Sequence, residues 1–122
     1  VSFVAFVFWW SVVDGDTIDV NARVWPNHAA HEERVRFVRI DAPEMHAKLA
    51  CERDLAMKAK MFTAAALTNG KEIVLKVSIE KPQRDSFGRI LGDVIVDGIS
   101  LPDAGLAAGV FRPYAARGTP WC

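Results

Sequence analysis

Apolar and polar positions alternate with a period of two over several short stretches of the chain, and over one longer stretch the period lengthens. Residues 2–13 are an almost unbroken run of Val, Phe, Trp and Ala and read as a long buried strand. Residues 17–24 read as a second strand, with Ile18, Val20 and Ala22 alternating against polar neighbours, and the Asp14-Gly15 step between the two is a hairpin signal. A polar loop with Pro26, His28 and His31 fills 25–33, and alternation resumes over 34–40. There Arg34, Arg36 and Val38 share one face. Val35, Phe37, Arg39 and Ile40 do not all fit the other, so a bulge is expected before Pro43 stops the strand.

Over residues 52–68 the pattern turns helical: Leu55, Ala59, Phe62 and Ala66 form one apolar stripe, which Asn69-Gly70 closes in the manner of a C-terminal cap. A fourth strand is expected at 72–79, with Ile73, Leu75, Val77 and Ile79 on one face. A polar loop at 80–87 leads to a fifth strand over 88–96, ended by Asp97-Gly98. Ser100 with Asp103 resembles a capping box opening a short helix to about Ala108, although Gly105 inside it weakens that reading. The order β-β-β-α-β-β-α predicts an α+β fold: a five-stranded Greek-key barrel of the OB type with packed helices, 1–122 forming a single domain.

Composition adds bounds. Of 122 residues 51% are apolar, enough for a core without metals or crosslinks. Lys plus Arg equals Asp plus Glu at 15 each, so any polyanion must be held by a local cluster and not by the field of the whole molecule. The uncharged run VSFVAFVFWW is too short to span a bilayer, which takes about 20 residues; it would suit the remnant of an export signal's apolar region but reads better as a strand, and no membrane contact is expected of the domain. Val1 in place of an initiator methionine suggests a processed or trimmed chain, so upstream targeting information is expected to be missing; the compartment stays open and export is allowed. Cys51 and Cys122 suit two free thiols in a cytoplasmic protein or one disulfide in an exported one. A Cys51–Cys122 bridge would tie down a tail, Gly118-Thr119-Pro120-Trp121, that has no regular pattern of its own.

Asp16, Asp41 and Glu44 carry candidate chemistry. In a meander of three strands these positions can meet at one end of the sheet, where three carboxylates repel one another unless a cation neutralises them. Oxygen ligands of this kind select Ca²⁺ or Mg²⁺ over zinc. Taken singly each has a simpler account: a turn, a strand end, a solvated acid. An EF-hand loop is excluded by Ile18 and Asp19, and a zinc-protease helix by Val35 in place of a second histidine. Arg36, five residues before Asp41, and Arg89 are suited to bidentate phosphate binding, and each alone is equally suited to a plain ion pair.

Together, VVDGDTI (12–18), VRFVRIDAPE (35–44), the helix, DSFGRILG (85–92) and VDGISL (96–101) resemble the staphylococcal nuclease family of thermonuclease-like domains, from about Val12 to Val110. DGDT alone is weak. DGDT, then R-x4-D-x-P-E, then D-x-x-G-R, in that order with a helix between, is specific. The resemblance implies an OB barrel and a Ca²⁺-dependent endonuclease. Such an enzyme hydrolyses phosphodiester bonds of DNA and RNA at P–O5′ and leaves 3′-phosphate ends. By the same resemblance Asp16, Asp41 and the carbonyl of Ala42 match the metal ligands, Glu44 the residue that activates or orients the attacking water, and Arg36 and Arg89 the arginines that grip phosphate. Phe87 stands where the family's best-known member has a tyrosine, which keeps stacking on a base or sugar and loses a hydroxyl contact. Tyr114 corresponds to a second tyrosine.

Other departures concern the longer loop at 25–33, which would shape the groove or a partner contact, and the tail RPYAARGTPWC, which replaces a long final helix and makes Trp121 and Cys122 a substitute lock. Arg112 and Arg117 would add phosphate affinity on one reading, and on the simpler one are solvated surface charges. A monomer is expected, and Arg36→Ala or Glu44→Ala should abolish cutting while sparing the fold. Two alternatives remain at this level: a silent OB barrel that binds single-stranded nucleic acid or a protein ligand, and a calcium-stabilised structural domain that would leave Arg36 and Arg89 idle.

Overall fold

Strand β1 (Ser2–Asp14) is long enough to serve two neighbours: its first half pairs antiparallel with β5 (Ile73–Ser78) and its second with β2 (Thr17–Ala22). The computed structural model describes residues 2–23, 31–78 and 84–122. β2 pairs with β3 (His31–Phe37), β5 with β6 (Ile90–Val96), and a parallel pairing of β3 with β6 closes the five-stranded barrel. Closure gives the inward residues of these strands a common interior. Ile18, Val20, Val35, Phe37, Leu75, Ile90 and Val94 fill it, all but wholly buried.

The third strand begins at His31, so residues 31–33 of the expected loop are strand, and Glu33 takes contacts from His31 and Arg84. His28 and the rest of that loop at 25–30 lie outside the described residues, as do Val24 of the expected second strand, Ile79 and residues 80–83. The expected bulge is a break at Val38-Arg39. Arg39 sits at φ 70°, held by Asp93, Asp103 and Ser100, and the chain re-enters as a two-residue strand, β4 (Ile40–Asp41), with Ile40 returned to the core. β4 pairs with another short strand, β8 (Arg112–Pro113), which alternation alone did not mark.

Helix α1 (Ala50–Asn69) is longer than its predicted span, and its buried line is Ala56, Ala59, Thr63 and Leu67, rotated from the predicted stripe. The reason is closeness. The Gly15-Asp16 turn lies against the helix so tightly that a Cβ on Gly15 would stand 2.7 Å from the Ala59 methyl, and Thr63 Oγ1 donates to the Gly15 carbonyl at 2.6 Å. Small residues and a hydroxyl therefore take the face where larger apolar side chains were expected. After a hairpin turn, β7 (Ile99–Ser100) leads into α2 (Leu101–Ala107), whose N-cap Ser100 accepts from the Asp103 N–H. Gly105 belongs inside this helix because the Phe111 ring packs where its Cβ would be. A 3-10 turn at Tyr114–Ala116 precedes the tail, and Cys122 is joined to Cys51 by a disulfide.

Candidate active site

The turn between β1 and β2 presents Asp16 at one end of the barrel, and the backbone N–H of Phe37 donates to the Asp16 carbonyl at 2.8 Å. That bond fixes the turn beside the end of β3, where Arg36 is registered opposite Thr17 on one side and Leu91 on the other. Arg36 is 8% exposed. One terminal nitrogen, Nη1, donates to the carbonyls of Phe37 and Ile40, both at 3.0 Å. The other, Nη2, lies 3.3 Å from Asp16 Oδ2 and 3.7 Å from Asp41 Oδ1. The break at Arg39 makes this possible, because it brings Asp41 back alongside the strand it has just left.

Arg89 enters from the loop before β6. Asp85 shapes that loop: Oδ1 accepts the N–H groups of Phe87 and Arg89, each at 2.9 Å, and Oδ2 accepts Arg89 Nε at 2.6 Å. Partial burial works against the Asp85 charge, but these donors hold its pKa below the usual 3.8. Arg89 Nη1 then reaches Thr17 Oγ1 at 3.3 Å, and the same hydroxyl donates to Asp16 Oδ1 at 2.9 Å. Thr17 thus links one arginine to the carboxylate that the other contacts. Arg36, Arg89, Phe87 and Tyr114 line an open cleft of about 430 Å³. Phe87 is 82% exposed, and the Arg89 guanidinium carbon lies 5.4 Å from its ring centre. A second cleft, of about 520 Å³, runs from Asp41, Ala42 and Glu44 along Arg112, Thr119 and Trp121.

The acids are under strain of charge. Burial, foremost, then a hydrogen bond shared with Asp14 and the Asp14 charge, raise the Asp16 pKa to about 7 in spite of Arg36. Asp14 Oδ1 is itself buried and, among the described residues, has no hydrogen-bond partner. The pKa of Glu44 is raised by partial burial and then by the charges of Asp16, Asp41 and Glu52, which places it within the field of the same cluster. Its backbone N–H donates to Glu52 Oε2 at 3.0 Å, tying the segment after β4 to the first turn of α1. Among the described residues no group of three or more His, Cys, Asp or Glu side chains is arranged to hold a metal ion, and Arg36 stands between the two aspartates. A hard cation nevertheless fits this donor set: a buried carboxylate resisting ionisation and an orphaned carboxylate oxygen beside it both gain from added positive charge.

Asp16, Arg36, Asp41, Glu44 and Arg89 therefore gather at one end of the barrel; Ala42 is buried next to Asp41, and Phe87 and Tyr114 flank the first cleft. Four contributors were not marked in advance. Thr17 and Asp85 lay inside quoted motifs without a role. Asp14 was read as turn support and also faces Asp16. Arg112, read as a solvated charge, instead donates from Nε to Asp41 Oδ2 at 2.9 Å, with only 16% of its side chain exposed.

Residues 34–119 match the model of the family described as staphylococcal nuclease homologue, a span that takes in Arg36, Asp41, Glu44 and Arg89. The chain is 33% identical over 107 residues to endonuclease YhcR of Bacillus subtilis (strain 168), covering 84% of this chain and 8% of that protein. It is 32% identical over 101 residues to the SPbeta prophage-derived endonuclease YokF of the same organism, covering 82% of this chain and 31% of the relative. It is 29% identical over 107 residues to the thermonuclease of Staphylococcus intermedius, covering 84% and 58%. The chain thus spans less than two thirds of each of these relatives. By the match over residues 34–119, it belongs to the staphylococcal nuclease homologue family.

Proposed function

We propose that this chain is a Ca²⁺-dependent endonuclease that hydrolyses phosphodiester bonds of DNA and RNA and leaves 3′-phosphate ends. The observation that carries the reading is the linked set Arg89–Thr17–Asp16–Arg36–Asp41, two guanidinium groups interleaved with two acids at the mouth of a cleft. Relatives named as endonucleases and a thermonuclease support it.

A calcium ion held by Asp16, Asp41 and the Ala42 carbonyl would supply positive charge to the phosphoryl oxygens as negative charge builds there. Arg36 and Arg89 add fixed donors to the same group, and their anchoring on backbone carbonyls and on Asp85 means that little reorganisation is needed during reaction. Glu44, partly exposed at the carboxylate cluster with a raised pKa, is the base that takes a proton from the attacking water or holds that water in line. Phe87 and Tyr114 give the flanking nucleotides flat apolar faces without reading sequence.

One observation favours a second reading, a barrel that binds nucleic acid without cutting it: Arg36 is paired with both aspartates, at 3.3 Å from Asp16 and 3.7 Å from Asp41, where a cation would sit. Plasmid DNA and a single-stranded RNA incubated with the protein, first with calcium and then with a chelator, separate the two. Cutting that appears with calcium, stops with chelator and yields ends needing phosphatase treatment before primer extension supports the nuclease. Retention on the nucleic acid with no strand breaks at any calcium concentration overturns it.

A further inference from the structure

We infer that Arg112 is a positioning residue for Asp41, and that the C-terminal tail, fastened by the Cys51–Cys122 disulfide, holds Arg112 in that role. This rests on the proposed nuclease reading. Arg112 and Asp41 are register partners in the β8–β4 ladder, so the backbone already sets their side chains together. The guanidinium then meets three groups at once. Nε donates to Asp41 Oδ2 at 2.9 Å, Nη1 donates to the carbonyl and hydroxyl of Thr119 at 2.9 and 3.0 Å, and the guanidinium carbon lies over the Trp121 ring, 4.0 Å from its centre. Trp121 precedes Cys122, whose disulfide ends on Cys51 in the first turn of α1. The next residue, Glu52, is the one that accepts the Glu44 N–H. One helical turn therefore braces both Glu44, through its backbone, and Asp41, through tail and arginine.

The consequence for Asp41 is specific. With Oδ2 engaged by Arg112, Oδ1 is the oxygen turned toward Arg36 and so toward the Asp16 side of the cluster. A carboxylate locked by one oxygen presents the other without losing rotational freedom when it binds. A mere charge effect predicts the opposite outcome, because an arginine beside Asp41 repels a cation and its removal would tighten calcium binding.

Calorimetric titration of calcium into the full chain, read beside the calcium dependence of cutting, tests this with Arg112→Lys, Trp121→Ala and the double variant Cys51→Ser/Cys122→Ser. Lysine keeps the charge but cannot touch Asp41 and Thr119 together while covering the Trp121 ring, so it should not rescue. Each variant is expected to weaken calcium binding about ten-fold or more, the usual cost of losing a group that orients a ligand, and to raise the calcium concentration for half-maximal cutting by a similar factor. Unchanged or tighter calcium binding in Arg112→Lys and Trp121→Ala, each folded by melting, overturns the inference. If the cysteine variant does not fold, Trp121→Ala decides, since it removes a ring face and no charge. Calcium-dependent cutting by the wild type with unaltered variants sinks only this inference; a wild type that neither binds calcium nor cuts sinks the nuclease reading and this one with it.

Discussion

Substituting Glu44 should cost chemistry alone, whereas substituting Arg36 should cost chemistry and stability together, because the carboxylate is solvated and the guanidinium is enclosed. Glu44 is exposed and makes its hydrogen bond through its backbone, so Glu44→Gln should not lower the melting temperature and should lower the cutting rate by about 10²-fold or more. The rate is read from initial velocities at saturating calcium. Partial burial and the neighbouring acids raise the Glu44 pKa in the calcium-free protein, so the midpoint of its carboxyl titration, followed by NMR in chelator, should lie above 4.5. Arg36 is buried between Asp16 and Asp41 and satisfies two carbonyls. Its removal leaves buried acid uncompensated, which typically costs about 3–5 kcal/mol. Arg36→Ala should therefore lose stability as well as cutting, contrary to the fold-neutral expectation, and denaturant melts without calcium would display the loss.

The seat of the Gly15-Asp16 turn on α1 decides where the first acid points. The glycine is needed here less for its backbone freedom than because Ala59 occupies the space of its Cβ. Gly15→Ala should destabilise, and adding Ala59→Gly should recover part of the loss even though glycine alone costs a helix about 1 kcal/mol. A double-mutant cycle by denaturant unfolding should yield a coupling of about 1 kcal/mol or more; simple additivity would contradict the contact. The same packing explains what was legible in the chain. Strands with strict alternation, and acids placed at their ends by short turns, could be read locally, as could the Ser100 cap. The phase of α1 could not, because alanine fits either face and the choice was made by the turn lying against it. Arg112 could not either: its partner lies 71 residues away across strands only two residues long, too short to leave a period.

For the molecule as a whole, equal numbers of acidic and basic residues leave binding of nucleic acid to the local arginines. If Arg36 and Arg89 supply the phosphate contacts, affinity should fall with salt with a log–log slope of magnitude about 2 or less, measured by fluorescence anisotropy of a labelled single strand in chelator. Stability should depend on pH through the same end of the barrel. The pKa of Asp16 is about 7 in the folded protein against 3.8 when unfolded, so its contribution is fully present below 3.8 and is lost as pH rises through 7. Glu44, also raised, acts in the same direction, whereas Asp85 and Asp97, held low, contribute above 3.8 and fail only in stronger acid. Without calcium the melting temperature should therefore decline between pH 4 and pH 7. Calcium should raise it more at pH 8 than at pH 5, because at pH 5 a proton already holds Asp16. Asp16→Asn should flatten the decline and abolish the calcium response together. A wild-type melting temperature that climbs across that interval in chelator would show that Asp16 is ionised without help, and that Arg36 alone is cation enough for this site.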